Sequence, residues 1–423
     1  MSDNNWISVL ATSALWCLAG CSQVLDALGD IDLSRPGASG HDPAPPSEPA
    51  PPDGCACAIS DALRPLSCGG GEVPLLDNDV VHASVDGSVA VFNICTPDFD
   101  CQVLYWDGGD AARVVGSGLL IDVSESGRQI LSSGVDGLTF LDLDYERSGI
   151  LPIDALAGHD SVTANGDAVF GAQYIEGRTQ LVRLNTASGA IEVLGTLDQA
   201  IARAYVSPDG SNVVGWGLDL DFLEDDTAFR WSEAAGFTFG LPGAPGDPAV
   251  WPESLSDDGS AIAGRAALSG THFYWSETDG YVDLGAASWR SETFISGDGS
   301  VVLGSLDAGE RDSSAFRWTA QTGVVELAPE RSSLALGMSD DGAVVAAYSW
   351  EDAQLEGASP EDTFIWDAEQ GTRTLDEILA SRGVDVSGWE FGHPRTLSGD
   401  GSVLLGRALC GGTPTLYRVV LSD

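Results

Sequence analysis

Apolar and polar positions alternate in short runs along most of the chain, and glycine or an acid-glycine pair closes each run. The stretch Val206-Ser207-Pro208-Asp209-Gly210-Ser211-Asn212-Val213-Val214-Gly215 contains the whole unit, and Ala228-Phe229-Arg230-Trp231 follows it. A serine and an Asp-Gly pair ahead of a β-branched run describe two strands joined by a tight turn, because only glycine takes positive φ there at little cost. The signal recurs at Gly87, Gly127, Gly166, Gly210, Gly259, Gly299, Gly342 and Gly401, with separations of 39 to 59 residues. A period near 40 to 45 belongs to a four-stranded propeller blade. The pattern predicts an all-β fold: a single β-propeller of eight blades, or seven if the first unit is degenerate.

Each unit offers its strands in the same order. Strand a ends at the turn serine (Glu292-Thr293-Phe294-Ile295-Ser296), and strand b follows the glycine (Ser300-Val301-Val302-Leu303-Gly304). Strand c is aromatic: Phe229-Arg230-Trp231, Phe273-Tyr274-Trp275, Phe316-Arg317-Trp318, Phe364-Ile365-Trp366 and, more loosely, Leu104-Tyr105-Trp106. Strand d follows a further glycine, as in Gly323-Val324-Val325-Glu326-Leu327. Alternation puts Phe and Trp on one face of strand c and the residue between them on the other. Aromatics that recur once per unit are expected to pack between blades. The last unit ends after Leu416-Tyr417-Arg418-Val419-Val420-Leu421, while Val73-Pro74-Leu75-Leu76 precedes the first strand a. An N-terminal strand is therefore expected to complete the last blade and remove its edge. Before that blade, Thr374 to Arg382 carries acids in its first turn and Gly383 after its end, which predicts a short helix.

The N-terminus divides by composition into a signal peptide (1–20), a Pro-rich stalk (21–54), a Cys-rich lead-in (55–72) and the propeller (73–423). The apolar run from Trp6 to Gly20 is too short for a comfortable span and ends in Leu18-Ala19-Gly20-Cys21, which resembles a bacterial lipobox. That resemblance implies lipidation of Cys21, and Ser22 after it implies sorting to the outer membrane. The alternative is a signal peptide without lipid, since Met1 to Asn5 holds no basic residue. Cys55, Cys57, Cys68, Cys95, Cys101 and Cys410 form an even set in an exported chain and predict disulfides. Cys95 and Cys101 flank one loop and pair most simply with each other; Cys410 is expected to join Cys55, Cys57 or Cys68. A metal at Cys55-Ala56-Cys57 is the competing reading, without a nearby histidine.

Charge narrows the partners. The formal net charge is −45, and the 19 basic residues are all arginine. Such a field repels nucleic acid and anionic headgroups, so contact with a membrane is expected through the lipid alone, and a monomer is expected. No metalloprotease, nucleophile-elbow, P-loop or dinucleotide fingerprint occurs. Among the scattered histidines, His82 and His272 fall on strands and read as structural. Strand order sends the b–c and d–a loops to one face. There Asp219, Asp221, Glu224, Asp225 and Asp226 supply oxygen ligands of the kind that hold Ca²⁺. Trp251, Trp289 and Trp389 supply aromatic platforms for a sugar or a partner's side chains. The reading is a non-enzymatic binding module for a protein or glycan, with no cofactor beyond possible calcium. The alternatives are a polymer hydrolase or lyase using carboxylates on that face, and an envelope scaffold.

The Ser-x-Asp-Gly turn, the Val-Val-Gly strand, Ala-Phe-Arg-Trp and the lead-in Gly383-Val384-Asp385-Val386-Ser387-Gly388-Trp389 together resemble the bacterial extracellular HAF-repeat proteins. The turn is also similar to that of WD40-like and TolB-type propellers. The similarity runs roughly from Val73 to Leu421 and is clearest from Tyr205 onward. Thr227-Ala228-Phe229, Thr271-His272-Phe273 and Ser314-Ala315-Phe316 stand where the family has His-Ala-Phe. The resemblance implies an exported repeat domain at the outer membrane, on the cell surface or the periplasmic face, and no established activity.

Overall fold

The computed structural model describes residues 62–66, 80–95, 100–109, 112–155, 161–218, 227–241, 249–288, 291–309, 312–350 and 362–422. Eight four-stranded antiparallel sheets follow one another along the chain as blades of a propeller, over 81–117, 119–150, 154–197, 200–239, 250–286, 294–326, 332–374 and 389–420. Strand order within each is a-b-c-d, as the repeat predicts. Strand a of blade one (Val81–Ala83) meets strand a of blade eight (Trp389–Leu397), and Phe92 and Trp106 share one core cluster with Val403 and Leu416. The ring is thereby closed.

Closure uses an earlier segment than the sequence suggests. Strand β1 (Leu63–Pro65), not Val73–Leu76, is strand d of blade eight, pairing Leu63 with Val419 and Pro65 with Tyr417. Residues 73–76 lie outside the described residues. Leu63 is buried in the core cluster shared by blades seven and eight and Leu66 in that shared by blades eight and one, and Pro65 occupies the outermost strand, where its missing N–H costs no ladder bond. Cys95 and Cys101 form a disulfide across neighbouring strands, with Cα atoms 4.0 Å apart. Cys410 is fully buried and also disulfide-bonded, to a cysteine outside the described residues. The expected helix is present as α1 (Leu375–Ser381), started by a capping box between Thr374 and Glu377.

The recurring turn explains its own sequence. In blade six the Ser296 hydroxyl donates to Asp298 Oδ1 (2.7 Å), which also accepts from the Ser300 N–H (2.9 Å), and Val301 N–H donates to Ser296 Oγ (3.0 Å). Blades one, four, five, seven and eight repeat the bonds from Ser84, Ser207, Ser256, Ser339 and Ser398. The second turn residue then donates its N–H to the same position one blade on: Val85 to Glu125, Glu125 to Ala164, Ala164 to Pro208, and Asp257 through Gly297 and Asp340 to Gly399. Asp400 N–H to Val85 O closes this belt, and it breaks only after Pro208, which has no N–H to give.

These bonds hold Asp86, Asp209, Asp258, Asp298, Asp341 and Asp400 below the usual carboxylate range. For Asp86, Asp258 and Asp298 the largest cause is the serine N–H two residues on, and for Asp341 it is the Ser339 hydroxyl. In Asp209 and Asp400 burial pushes upward and the same hydrogen bonds outweigh it. A depressed carboxyl contributes stability above its unfolded pKa that is lost as pH falls through the folded value. The melting midpoint should therefore drop below about pH 4, and asparagine at Asp298 should flatten that drop in a pH series of thermal melts.

Strand c carries a second rule. Its middle residue packs on the third residue of strand c in the next blade at five interfaces, and shares a core cluster with it at the other three. Arg183 lies over Trp231, Arg230 over Trp275, Arg317 over Trp366 and Arg418 over Trp106, at 5.4, 5.5, 5.1 and 5.2 Å. Tyr274 meets Trp318 at 4.8 Å. Tyr105 with Leu141, Phe140 with Leu184, and Ile365 with Val419 share core clusters. The Arg of Phe-Arg-Trp is thus a cation–π clasp between blades. Arg230→Ala should cost about 0.5–2 kcal/mol, and a double-mutant cycle with Trp275→Leu should recover that coupling.

Candidate functional site

The loop face gathers its chemistry around the axis at blades four to six. Trp251 opens strand a of blade five (Val250–Leu255) and stacks on Trp216 from strand b of blade four, with ring centroids 5.3 Å apart and planes at 28°. Both are half-buried, and the Trp216 indole N–H has no partner among the described residues. Arg203 sits opposite Trp216 on strand a of blade four. Its guanidinium lies 3.3 Å from Glu292 Oε1, just ahead of blade six, and 3.4 Å from the Tyr205 oxygen. The ion pair passes over the inner strand of blade five, which places it at the axial mouth. Both side chains remain about two-fifths exposed, at 40% and 42%. Burial pushes the Tyr205 hydroxyl above its usual range, so it stays protonated and able to donate.

Beneath this mouth lies a buried polar network. Glu253 Oε1 takes Arg265 at 2.6 to 2.7 Å. Its Oε2 accepts the Thr293 N–H at 3.0 Å and lies 2.7 Å from Thr293 Oγ1. His272 Nδ1 lies 2.8 Å from the same hydroxyl, and His272 Nε2 lies 2.9 Å from the Ser305 carbonyl. Burial lowers the His272 pKa to about 4 and raises that of Glu253. His272 is the structural imidazole expected, fully enclosed against Phe316.

Of the two expected loop-face residues that are described, Trp251 lies in this mouth and Trp389 does not. Trp389 is 8% exposed, stacks on Phe391 at 5.7 Å and belongs to the cluster over Ile378 and Leu379 of α1, so its ring is used in packing. Trp289, Asp219, Asp221, Glu224, Asp225, Asp226, Cys21, Cys55, Cys57 and Cys68 lie outside the described residues. Among the described residues no group of three or more His, Cys, Asp or Glu could hold a metal ion. Sequence reading missed Trp216, Arg203 and the Arg265–Glu253–Thr293–His272 chain. One local signal pointed there: where blades four and six have Ala-Phe, blade five has His272-Phe273.

A second opening, about 530 Å³, lies between blades four and five on the turn face, lined by Asn212, Arg230, Tyr274, Glu277 and Asp279. Its charged groups are already engaged: Arg230 binds Glu277 at 2.8 Å, and Asp279 accepts from Ser276 and Tyr274 at 3.1 and 3.4 Å. The axial mouth, with a half-buried stacked tryptophan pair and an exposed ion pair, has more left to offer a ligand.

No protein-family model and no curated protein matches the sequence. By fold the chain is similar to dipeptidyl peptidase 4 of Porphyromonas gingivalis, at TM-score 0.51 and 11% identity over 78% of this chain and 56% of that one. It is also similar to an oligogalacturonate lyase in complex with manganese (TM-score 0.47, 15% identity, 85% and 98% covered) and to TolB of Acinetobacter baumannii (0.33, 14%, 69% and 78%). At such identities the likeness is one of fold alone.

Proposed function

We propose that this protein is an exported propeller, held at the outer membrane by lipid on Cys21, that binds a neutral glycan at its axial mouth without transforming it. The observation that carries the reading is the stacked Trp216–Trp251 pair beside the exposed Arg203–Glu292 pair, an apolar platform next to polar groups that suit hydroxyls. The net charge of −45 disfavours polyanionic chains such as polyuronates. The disulfides at Cys95–Cys101 and Cys410 fit an oxidising compartment, and the repeat motifs support kinship with the HAF-repeat proteins.

Strand direction supports the placement of the site. The Val420 N–H donates to Ala62 O at the start of β1, and the Leu66 N–H donates to Leu416 O beyond its end. Strand c of blade eight runs from the loop face to the turn face, so β1, antiparallel to it, enters from the turn face. The chain therefore enters β1 on the side opposite the mouth. Calcium held around Asp219 and Asp221 belongs to the same proposal; adding the ion after chelation would then raise the melting midpoint.

The test is a titration of the full-length protein with neutral cello- and chito-oligosaccharides, followed by tryptophan fluorescence. Saturable change, lost in Trp251→Ala, is the expected result. Binding of oligogalacturonate alone would contradict the neutral-glycan reading. Turnover of any polymer, lost in Glu292→Gln, would replace binding by the hydrolase or lyase alternative. In cells, Cys21→Ser should move the protein from the membrane to the soluble fraction.

A further inference from the structure

We infer that Glu253 is a neutral carboxylic acid at neutral pH, and that its proton latches blade five to blade six beneath the axial mouth. The Ser305 carbonyl can only accept, and it lies 2.9 Å from His272 Nε2, so Nε2 carries a hydrogen. A bare nitrogen there would set two lone pairs against each other. In neutral imidazole Nδ1 is then an acceptor, and the partner 2.8 Å away is Thr293 Oγ1, whose single hydrogen must point at it. Yet Thr293 Oγ1 is also 2.7 Å from Glu253 Oε2. With the hydroxyl hydrogen already used, the proton between these oxygens belongs to Glu253. The acid donates to Thr293 Oγ1, accepts the Thr293 N–H on the same oxygen and accepts Arg265 on the other.

One other assignment satisfies every contact. An ionised Glu253 would take the Thr293 hydrogen, and His272 would carry protons on both nitrogens. Each assignment holds one proton more than an ionised Glu253 beside a neutral His272, and they differ in where it sits. His272 is fully buried against Phe316, and burial holds its pKa near 4, far from an imidazolium at neutral pH. Burial moves Glu253 the other way, against the pull of Arg265 and Thr293. The charged and titratable groups facing the pair are Arg265 from strand b of blade five, Arg203 and Tyr205 from blade four, and Glu292 ahead of blade six. Ser291 completes the shell, its hydroxyl 3.3 Å from His272 Nε2 while accepting the Ser305 N–H.

The latch has a sign. A carboxyl raised in the folded state contributes stability that is full below the ordinary carboxylate range and lost as pH rises through the raised value. Its ionisation also sets a second negative charge beside Glu292, so Arg203 at the mouth becomes shared between them.

The test uses the full-length protein labelled with ¹⁵N-histidine, whose five histidines include His272, assigned by its loss in His272→Gln. The expected signal is a neutral imidazole protonated at Nε2 and bare at Nδ1 between about pH 5 and pH 8. Infrared difference spectra should contain a buried carboxylic-acid carbonyl band, kept at its frequency in Thr293→Ser and shifted upward in Thr293→Val, where the acid proton loses its acceptor. An imidazolium signal at neutral pH, a neutral ring protonated at Nδ1, or no acid band in the native protein would overturn the inference. An unshifted band in a folded Thr293→Val would do the same. If that variant does not fold, the two native-protein signals decide.

Discussion

Alanine at Gly342 should lower the stability of blade seven by about 2–5 kcal/mol. The residue sits at φ +65°, which an L side chain reaches only with strain, and its new Cβ would lie 2.7 Å from Val301 Cγ2 and 2.8 Å from Val301 Cβ. Gly259, Gly299 and Gly401 likewise rest on Asn212, Ala261 and Val344, the first strand b residues of the blades before them. The turn glycine therefore answers two demands, one of backbone and one of interblade contact. Gly236 separates them: its φ is +73° and a Cβ there meets nothing within 4 Å. Gly236→Ala should cost about 1–2 kcal/mol from φ alone. Denaturant unfolding of both variants beside the native protein measures the difference, and equal losses would remove the packing half of the account.

Glu253→Ala should be of similar size, at about 2–4 kcal/mol, because it leaves buried donors without their acceptor. The change strands the Arg265 guanidinium, whose side chain is 24% exposed, together with the Thr293 N–H. Arg265 retains some access to water, so the loss should fall toward the lower end. The double variant Glu253→Ala with Arg265→Met should recover part of it, because it removes the guanidinium donors that the alanine leaves without an acceptor. A double variant worse than Glu253→Ala alone would mean that Arg265 is held by other partners. The two melting midpoints decide between these outcomes.

Most of the architecture was readable because it is local and repeated. Ser-x-Asp-Gly specifies its own turn through bonds that span five residues, and six copies, with the variants ending at Gly127 and Gly166, fix the blade count. Phe-x-Trp in strand c announced interblade packing, and the structure adds that the residue between them clasps the next blade. The closing strand was misplaced for a physical reason. Val73-Pro74-Leu75-Leu76 is more apolar than Leu63-Arg64-Pro65, but a three-residue edge strand needs only Leu63, with Leu66 just after it, to be buried. Apolar content could not distinguish these segments.

The candidate site was harder to read. Arg203 and Glu292 meet across 89 positions of sequence, and Trp216 meets Trp251 across an interface that no local pattern records. Trp389 follows the same Gly-rich lead-in that suggested an exposed loop, yet it begins strand a and stacks on Phe391. A tryptophan at a strand entrance reads alike in sequence whether its ring faces solvent or core, and only the register decides.

Hydrogen exchange on the full-length protein, with and without the neutral oligosaccharide that gives the fluorescence change, tests the central claim most directly. The account predicts added protection at the loop-face ends of the inner strands, over Ala200 to Arg203 and Val250 to Glu253, with the turns around Gly210 and Gly259 unchanged. Protection confined to Asn212–Val214, Arg230–Ser232 and Glu277–Asp279 would move the site to the turn-face opening between blades four and five and contradict the account.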